Sequence, residues 1–337
     1  MSGQLRVAGV GAGYFSQFHY KSWQRIDSVD LVGVCDMDIE RARAVSPDHA
    51  FAAVADMIAQ ASPDVVDIIT PPAARLAVVK QVAASGLPMI VQKPLADDLM
   101  DAQDLARVAR QAGVTMLVHE NFRFQPWYRE ARRLLDSGLL GEPQSIQFRL
   151  RPGDGRGPDA YLARQPYFQQ MPRFLIHETA VHFVDTFRYL VGEVGSVLAD
   201  LRRLNPVIAG EDAAVVLFRF LDGASGIFDG NRQAEMEARN PRLTMGEMLL
   251  ECSEAQLRLN GDGSLFLKPL GHPEREHEYA WQDRDFGGDC VHAFQSHAVA
   301  HFRDGAEAET LVDKYLRNVR IVEAIYESAA DGAWVDI

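Results

Sequence analysis

Leu5-Arg-Val-Ala-Gly-Val-Gly-Ala-Gly-Tyr-Phe-Ser16 decides how this 337-residue chain folds. Its first six residues are short and mostly apolar, as a strand buried in a parallel sheet must be. The strand runs into Gly11-Ala-Gly13. Gly11 permits a tight turn, and Gly13 lets the backbone approach a pyrophosphate lying at the positive N-terminus of the next helix. Ser16 stands where a third glycine would complete a GxGxxG turn. Taken alone, such a turn is also readable as an ordinary loop. The order around it is what makes it specific: strand, turn, a helix to about residue 26, then a second strand over 29–36 that ends in an acid. Asp36 can accept both ribose hydroxyls of an adenosine, and its charge repels a 2′-phosphate, so it predicts NAD over NADP. A helix-capping aspartate ahead of Met37 is the alternative.

The alternation continues outward, with helices expected over 40–45, 56–61, 76–84 and 97–112 and strands over 65–69, 87–91 and 114–119. Thr70-Pro-Pro72 is expected to turn the chain, because two prolines extend neither kind of element. Gly86 and Gly113 stop helices. This predicts an α/β doubly wound parallel sheet, a Rossmann domain, over residues 1–122, with ligands bound beyond the carboxyl ends of its strands. Thr70, Lys93 and Asn121 all fall at such ends.

Beyond Pro126 the pattern changes. A helix over 129–137 is followed by period-two segments at 144–150, 196–204, 213–220, 224–231, 247–252, 256–260 and 264–267, several of them joined by Gly turns such as Asp222-Gly223. Helices over about 288–302 and 311–329 finish the chain. Residues 123–337 therefore read as an α+β domain on a large, mostly antiparallel sheet, whose uncovered face predicts a homo-oligomer. Arg151-Pro-Gly-Asp-Gly-Arg-Gly-Pro158 reads as a loop over a site or an ordered surface loop, not a linker, since structured segments flank it.

Within the second domain, residues 174–190 read as one two-faced helix. At about 100° per residue, Ile176, Ala180, Phe183, Phe187 and Leu190 share an arc of roughly 80°, an apolar stripe for a core. Opposite lie Glu178, His182, Asp185 and Tyr189. Glu178 is four residues before His182, so its carboxylate can orient the imidazole or raise its basicity. A solvated polar face is the bland alternative. The pair His177 and His182 does not make a zinc-protease helix, because histidines five apart diverge by about 140°. His297 and His301 lack a partnering carboxylate or cysteine pattern, so no metal site is expected.

The net charge of −13 argues against nucleic-acid and anionic-membrane surfaces and leaves small molecules as partners. Cys35, Cys252 and Cys290 are odd in number and scattered, which fits a reducing cytoplasm better than a disulfide framework. No apolar leader and no apolar run of about 18 residues is present, so a cytoplasmic protein without a membrane span is expected.

Gly11-Ala-Gly-Tyr-Phe15, Asp36, Gln92-Lys-Pro94, Asn121-Phe-Arg-Phe-Gln-Pro126, Glu178-x-x-x-His182 and Leu190-Val-Gly-Glu193 occur in the order found in the glucose-fructose oxidoreductase / inositol dehydrogenase / rhizopine-catabolism (Gfo/Idh/MocA) family. The chain resembles that family over essentially its whole length. The resemblance implies cofactor contacts at Gly11, Gly13, Tyr14, Phe15, Asp36, Thr70, Pro71, Gln92 and Lys93. It further implies that Lys93 hydrogen-bonds the reacting hydroxyl and that His182 takes or returns its proton, with Glu178 orienting His182. Such chemistry needs both groups, because hydride leaves a carbinol carbon readily only if the O–H proton leaves too. The departures are Gln92 for the family glutamate, Glu178 for its aspartate, and Pro72 and Arg75 in the Thr-Pro-Asn-x-x-His pattern.

An NAD-dependent dehydrogenase of a sugar, polyol or cyclitol is the leading expectation, with an aldose 1-dehydrogenase of pentoses, D-apiose among them, as its narrower form. Asn121, Arg123, Tyr161, Arg164 and His177 are the candidates for binding substrate hydroxyls. Two other readings fit the same fold. An NAD-dependent glycosidase or lyase would cleave a glycoside without net NADH; a non-catalytic dinucleotide sensor would tolerate loss of Lys93 and His182 but not of Asp36.

Overall fold

The structure is a computed structural model that describes residues 3–337. By contact it divides into two compact units, Met1–Asn121 with Val291–Val319, and Phe122–Cys290 with Arg320–Ile337.

The first unit carries six parallel strands, β1 (Leu5–Val10), β2 (Val29–Cys35), β3 (Ala50–Phe51), β4 (Val65–Ile68), β5 (Met89–Gln92) and β6 (Met116–His119), in the order β3-β2-β1-β4-β5-β6. The order reverses between β1 and β4, which is where a doubly wound sheet opens its ligand crevice. Strands β4, β5 and β6 are buried at every residue, because helices cover both faces. Those helices are α1 (Ser16–Trp23), α2 (Ile39–Val45), α3 (Val54–Ala61), α4 (Pro72–Ala84) and α5 (Leu99–Ala112). Asp38 and Asp98 cap α2 and α5 by accepting from the Glu40 and Asp101 amides, and Gly113 closes α5 in the left-handed region at φ 67°. Pro72 does not turn the chain, as expected from sequence, but opens α4. A proline costs nothing there, because its missing N–H would have no helical partner.

The expected boundary after residue 122, with everything later in a second domain, is corrected by Val291–Val319, which returns to the first unit. The open edge of β6 draws it back. Val118 N donates to Thr310 O at 2.8 Å, Leu117 bridges Leu311, and the Tyr315 hydroxyl donates to buried Glu120 at 3.1 Å.

In the second unit, α6 (Pro126–Asp136) leads to β7 (Pro143–Leu150), and a π-helical turn (Leu175–Ala180) leads into α7 (Val181–Leu190). Then come β8 (Val194–Arg202), β9 (Ala213–Phe220), β10 (Ser225–Asn231), β11 (Gly246–Cys252), β12 (Ala255–Leu259), β13 (Leu265–Pro269) and β14 (Arg275–His277); α8 (Cys290–Asp304) and the start of α9 (Val312–Asp331), to Val319, belong to the first unit, and the rest of α9 and β15 (Val335–Asp336) to the second. Nine strands form one sheet, β14-β13-β12-β11-β7-β10-β9-β8-β15, antiparallel except where β10 runs parallel to β7. Helix α7 lies on its inner face through aromatic contacts: Phe183 stacks on Phe148 at 3.9 Å and meets Phe228 at 5.5 Å, while Phe187 meets Phe218 edge-on at 5.4 Å. All five residues of the predicted apolar stripe are at most 2% exposed.

The other face of the sheet is different. Leu198, Leu217, Ile227, Gln147, Leu249, Arg258 and Phe266 pair side by side across seven strands, each only partly covered.

Candidate functional site

In the first unit the phosphate turn is built by close approach. Gly11 sits at φ +107°, and a Cβ there would meet the Ile69 carbonyl carbon at 3.1 Å and the Thr70 nitrogen at 3.2 Å. A Cβ on Gly13 would meet nothing within 4 Å, so that side of the turn stays open. Ser16 is buried, and its hydroxyl donates to Gly13 O at 2.7 Å, which is how the chain manages without the third glycine. Tyr14 is 38% exposed, whereas Phe15 packs on Phe18 at 5.2 Å and His19 at 5.7 Å.

Asp36 closes this half from the end of β2. Its Oδ2 accepts from Ala12 N at 2.7 Å and its Oδ1 from Asp38 N at 2.9 Å. Each carboxylate oxygen accepts more than one hydrogen bond, so both retain capacity for a diol. Asp36 is thereby tied to the Gly11-Ala-Gly13 turn, and the cap of α2 is Asp38.

At the ends of β4 and β5 two turns are braced together. Arg75, 1% exposed, donates to Thr70 O at 2.5 Å, to Leu95 O at 2.8 Å and to Pro94 O. Burial pushes its guanidinium down to about 9. Lys93 precedes a cis bond to Pro94. Gln92 Oε1 accepts from Lys93 N at 2.6 Å, and Gln92 Nε2 lies 2.8 Å from His19 Nε2. Thr70 and Pro71 follow β4, and Asn121, 1% exposed, follows β6. His19 and its partner Asp67 escaped the sequence reading, since a lone histidine in a helix and an aspartate in an apolar strand carry no local pattern.

In the second unit the segment bearing His182 departs from the wheel drawn for it. Residues Leu175–Ala180 form a π turn, so the α-helical angle between Glu178 and His182 does not apply. The start of the turn is capped from a distance: Glu211 Oε1 accepts from Phe174 N at 3.1 Å, Ile176 N at 3.0 Å and the Tyr326 hydroxyl at 2.6 Å. Gly210 admits this approach, because a Cβ there would stand 2.7 Å from Met171 O. His182 is 4% exposed and lies flat on Phe122. Glu178 is half-buried, and its Oε2 accepts from the Thr179 hydroxyl at 2.6 Å.

Asp185 and Tyr189, which share the polar face in the sequence reading, serve structure. Asp185, 1% exposed, receives both Nε and Nη2 of Arg123 at 2.7 Å, and Tyr189 accepts from Arg129 at 2.8 Å. Arg123, expected to bind substrate, thus has two of its nitrogens committed to a carboxylate. His177, another candidate, is 8% exposed.

Tyr161 and Arg164 are brought to one cluster around a residue the sequence reading missed, Arg232. This guanidinium is 1% exposed and lies among Tyr161, Phe168 and Phe174, 5.0 Å from the Phe174 centroid. It donates to Asp154 at 2.9 Å, the Tyr161 hydroxyl at 2.8 Å and the Thr179 hydroxyl at 2.6 Å, and Arg164 reaches Asp154 at 3.3 Å. Thr179 passes the contact on to Glu178. Burial opposes ionisation of Asp154, but Arg232 and Arg164 outweigh it and hold the carboxyl below the usual range. Burial drives the Tyr161 phenol well up. Asp154 belongs to the Gly/Pro-rich loop, which is therefore ordered: Gly155 N donates to Arg232 O, and Asn205 donates to the carbonyls of Gly155 and Gly157.

Residues 5–120 match a family model described as oxidoreductase family, NAD-binding Rossmann fold, and residues 128–251 match the GFO/IDH/MocA C-terminal domain. A D-apiose dehydrogenase of Rhizobium rhizogenes is 30% identical over 350 residues, covering 99% of this chain and 98% of the relative. An oxidoreductase of Agrobacterium radiobacter, solved with NAD+, L-tartaric acid and magnesium, superposes with a TM-score of 0.90 at 29% identity, over 99% of this chain and 98% of that one. An inositol dehydrogenase homologue of Azotobacter vinelandii, solved with NADH and myo-inositol, has a TM-score of 0.83 at 18% identity over 100% and 98% of the two chains, and shares the fold.

Proposed function

The chain belongs to the Gfo/Idh/MocA oxidoreductase family, and from that premise we propose that it is an NAD-dependent dehydrogenase oxidising a hydroxyl of a sugar, polyol or cyclitol. Hydride passes from the carbinol carbon to NAD+, and the O–H proton passes to a base, leaving a carbonyl. His182 takes that proton, Lys93 steadies the developing alkoxide by its charge, and Glu178 holds the segment of His182. Gly11, Gly13, Tyr14, Phe15, Asp36, Thr70 and Pro71 hold the dinucleotide, and Gln92, whose amide is engaged by Lys93 N and His19 Nε2, places the turn beside it.

The observation that carries the proton-transfer reading is the buried imidazole of His182, face-packed on Phe122 at 3.7 Å. The identity to the Rhizobium relative supports an aldose oxidised at C1 to its lactone, with D-apiose as the first candidate. Asn121, Arg123, Tyr161, Arg164 and His177 are its hydroxyl contacts. The test is NADH formation from purified protein against aldoses, alditols, inositols and sugar acids. Glycoside cleavage without net NADH would replace this reading by the glycosidase or lyase one.

The half-covered row from Leu198 to Phe266 supports a homo-oligomer formed through the sheet face. Light scattering on Leu217→Glu, expected to lower the molar mass, tests it. Among the described residues no helix is long and apolar enough to cross a membrane. Cys35, Cys252 and Cys290 are buried thiols outside any disulfide, which supports a cytoplasmic enzyme.

A further inference from the structure

Gln92, which stands where the family has glutamate, faces two groups that together allow only one arrangement of protons. Its Oε1 lies 2.6 Å from Lys93 N, a backbone donor, so that end of the amide must be the oxygen. The amide NH2 then points at His19 Nε2, 2.8 Å away, and an NH2 can only donate, so Nε2 carries no proton. The ring proton sits on Nδ1, which donates to Asp67 Oδ2 at 2.8 Å beside the indole N–H of Trp23, also at 2.8 Å. His19 and Asp67 are both 0% exposed, and His119 covers one face of the His19 ring at 4.0 Å.

We propose that Asp67, His19 and Gln92 form a relay through an uncharged imidazole and an uncharged amide that positions the backbone of Lys93. A glutamate at position 92 would put two acceptors against Nε2 and the Lys93 N–H, and would satisfy Nε2 only by taking up a proton, on His19 or on the carboxyl itself. Glutamine fills the place with His19 neutral. Arg75 completes the hold from the other side, gripping the carbonyls of Pro94 and Leu95 that follow Lys93. Two of the departures from the family pattern, Gln92 and Arg75, thus brace one turn, and the residues of the relay are positioning residues, not catalytic ones. The proton arrangement stands on geometry alone; its consequence for turnover rests on the role proposed for Lys93.

The test uses the full chain labelled with 15N-histidine, with the His19 signals assigned by their loss in His19→Gln. The wild-type protein should show Nδ1 protonated and Nε2 bare at neutral pH. An Nε2-protonated ring or an imidazolium overturns the relay. With an oxidisable sugar, Gln92→Ala and Gln92→Glu should each lower kcat about tenfold with KM for NAD within about twofold. Unchanged kcat in both variants overturns the positioning role. Should the sugar screen yield no substrate, the acylation rate of Lys93, read by peptide mass spectrometry against Lys80, takes the place of kcat. A several-fold change in Gln92→Ala supports the role and equal rates overturn it, so the relay and the dehydrogenase reading fail independently.

Discussion

Phe122 and His182 lie flat against each other, ring centroids 3.7 Å apart and planes 4° from parallel. Phe183 closes on Phe122 edge-on at 5.7 Å, so the phenyl ring is itself held. An imidazole packed by its face is held against rotation about χ2 and presents its nitrogens only in the fixed plane of the ring, which is the preorganisation a proton-transfer group requires.

Removing the platform should therefore be separable from removing the base. Phe122→Leu is expected to lower turnover about 10-fold by loosening the ring, and His182→Ala about 10²–10⁴-fold by removing it, with NAD affinity nearly unchanged in both. Steady-state kinetics on the sugar found by the NADH screen, beside NADH titration, check this. Full activity of His182→Ala would take the residue out of the mechanism.

Asp36 is expected to set the cofactor preference. Its carboxylate is anchored to Ala12 N and Asp38 N, and Asp36→Ala removes both the diol acceptor and the charge that repels a 2′-phosphate. The ratio of kcat/KM for NAD to that for NADP should fall. Equal ratios before and after would show that the ribose is held elsewhere.

The Arg232–Asp154 pair predicts an asymmetry in stability. Arg232→Met leaves Asp154 buried opposite no close guanidinium except Arg164, and is expected to cost about 3–5 kcal/mol. Arg232→Met with Asp154→Leu removes both charges and should recover much of that loss. Urea unfolding of the three proteins decides it, and additive losses would contradict the pairing.

The same pair predicts an acid-side effect. Because the native Asp154 carboxyl titrates below its ordinary value, the ion pair contributes stability that is fully present above about pH 4 and is lost as pH falls through the lower native value. Asp154→Asn should be less stable than the parent at neutral pH and should show a shallower decline below about pH 4. Parallel melting curves across that range would refute the assignment.

The parallel sheet, the phosphate turn and the apolar stripe of α7 were legible in the chain because each is written in neighbouring residues. A buried parallel strand must be apolar throughout, a pyrophosphate turn must be small, and a helix on a sheet must repeat its apolar residues near every 3.6. Asp36 was legible for the same reason, since its place at the end of the second strand follows from the alternation.

Other features exist only through partners far along the chain. The π turn before His182 depends on Glu211, more than thirty residues later, and on the space left at Gly210. The return of Val291–Val319 depends on the open edge of β6, which no periodicity announces. Sequence marked Gln92 as a departure, but only the fold supplied its reason, by bringing His19 and Asp67 within hydrogen-bond reach across 73 and 48 residues. Periodic burial and turn chemistry are local properties and can be read from order alone. The protonation and orientation of a buried polar group are set by whatever it faces, and that is decided when the chain folds.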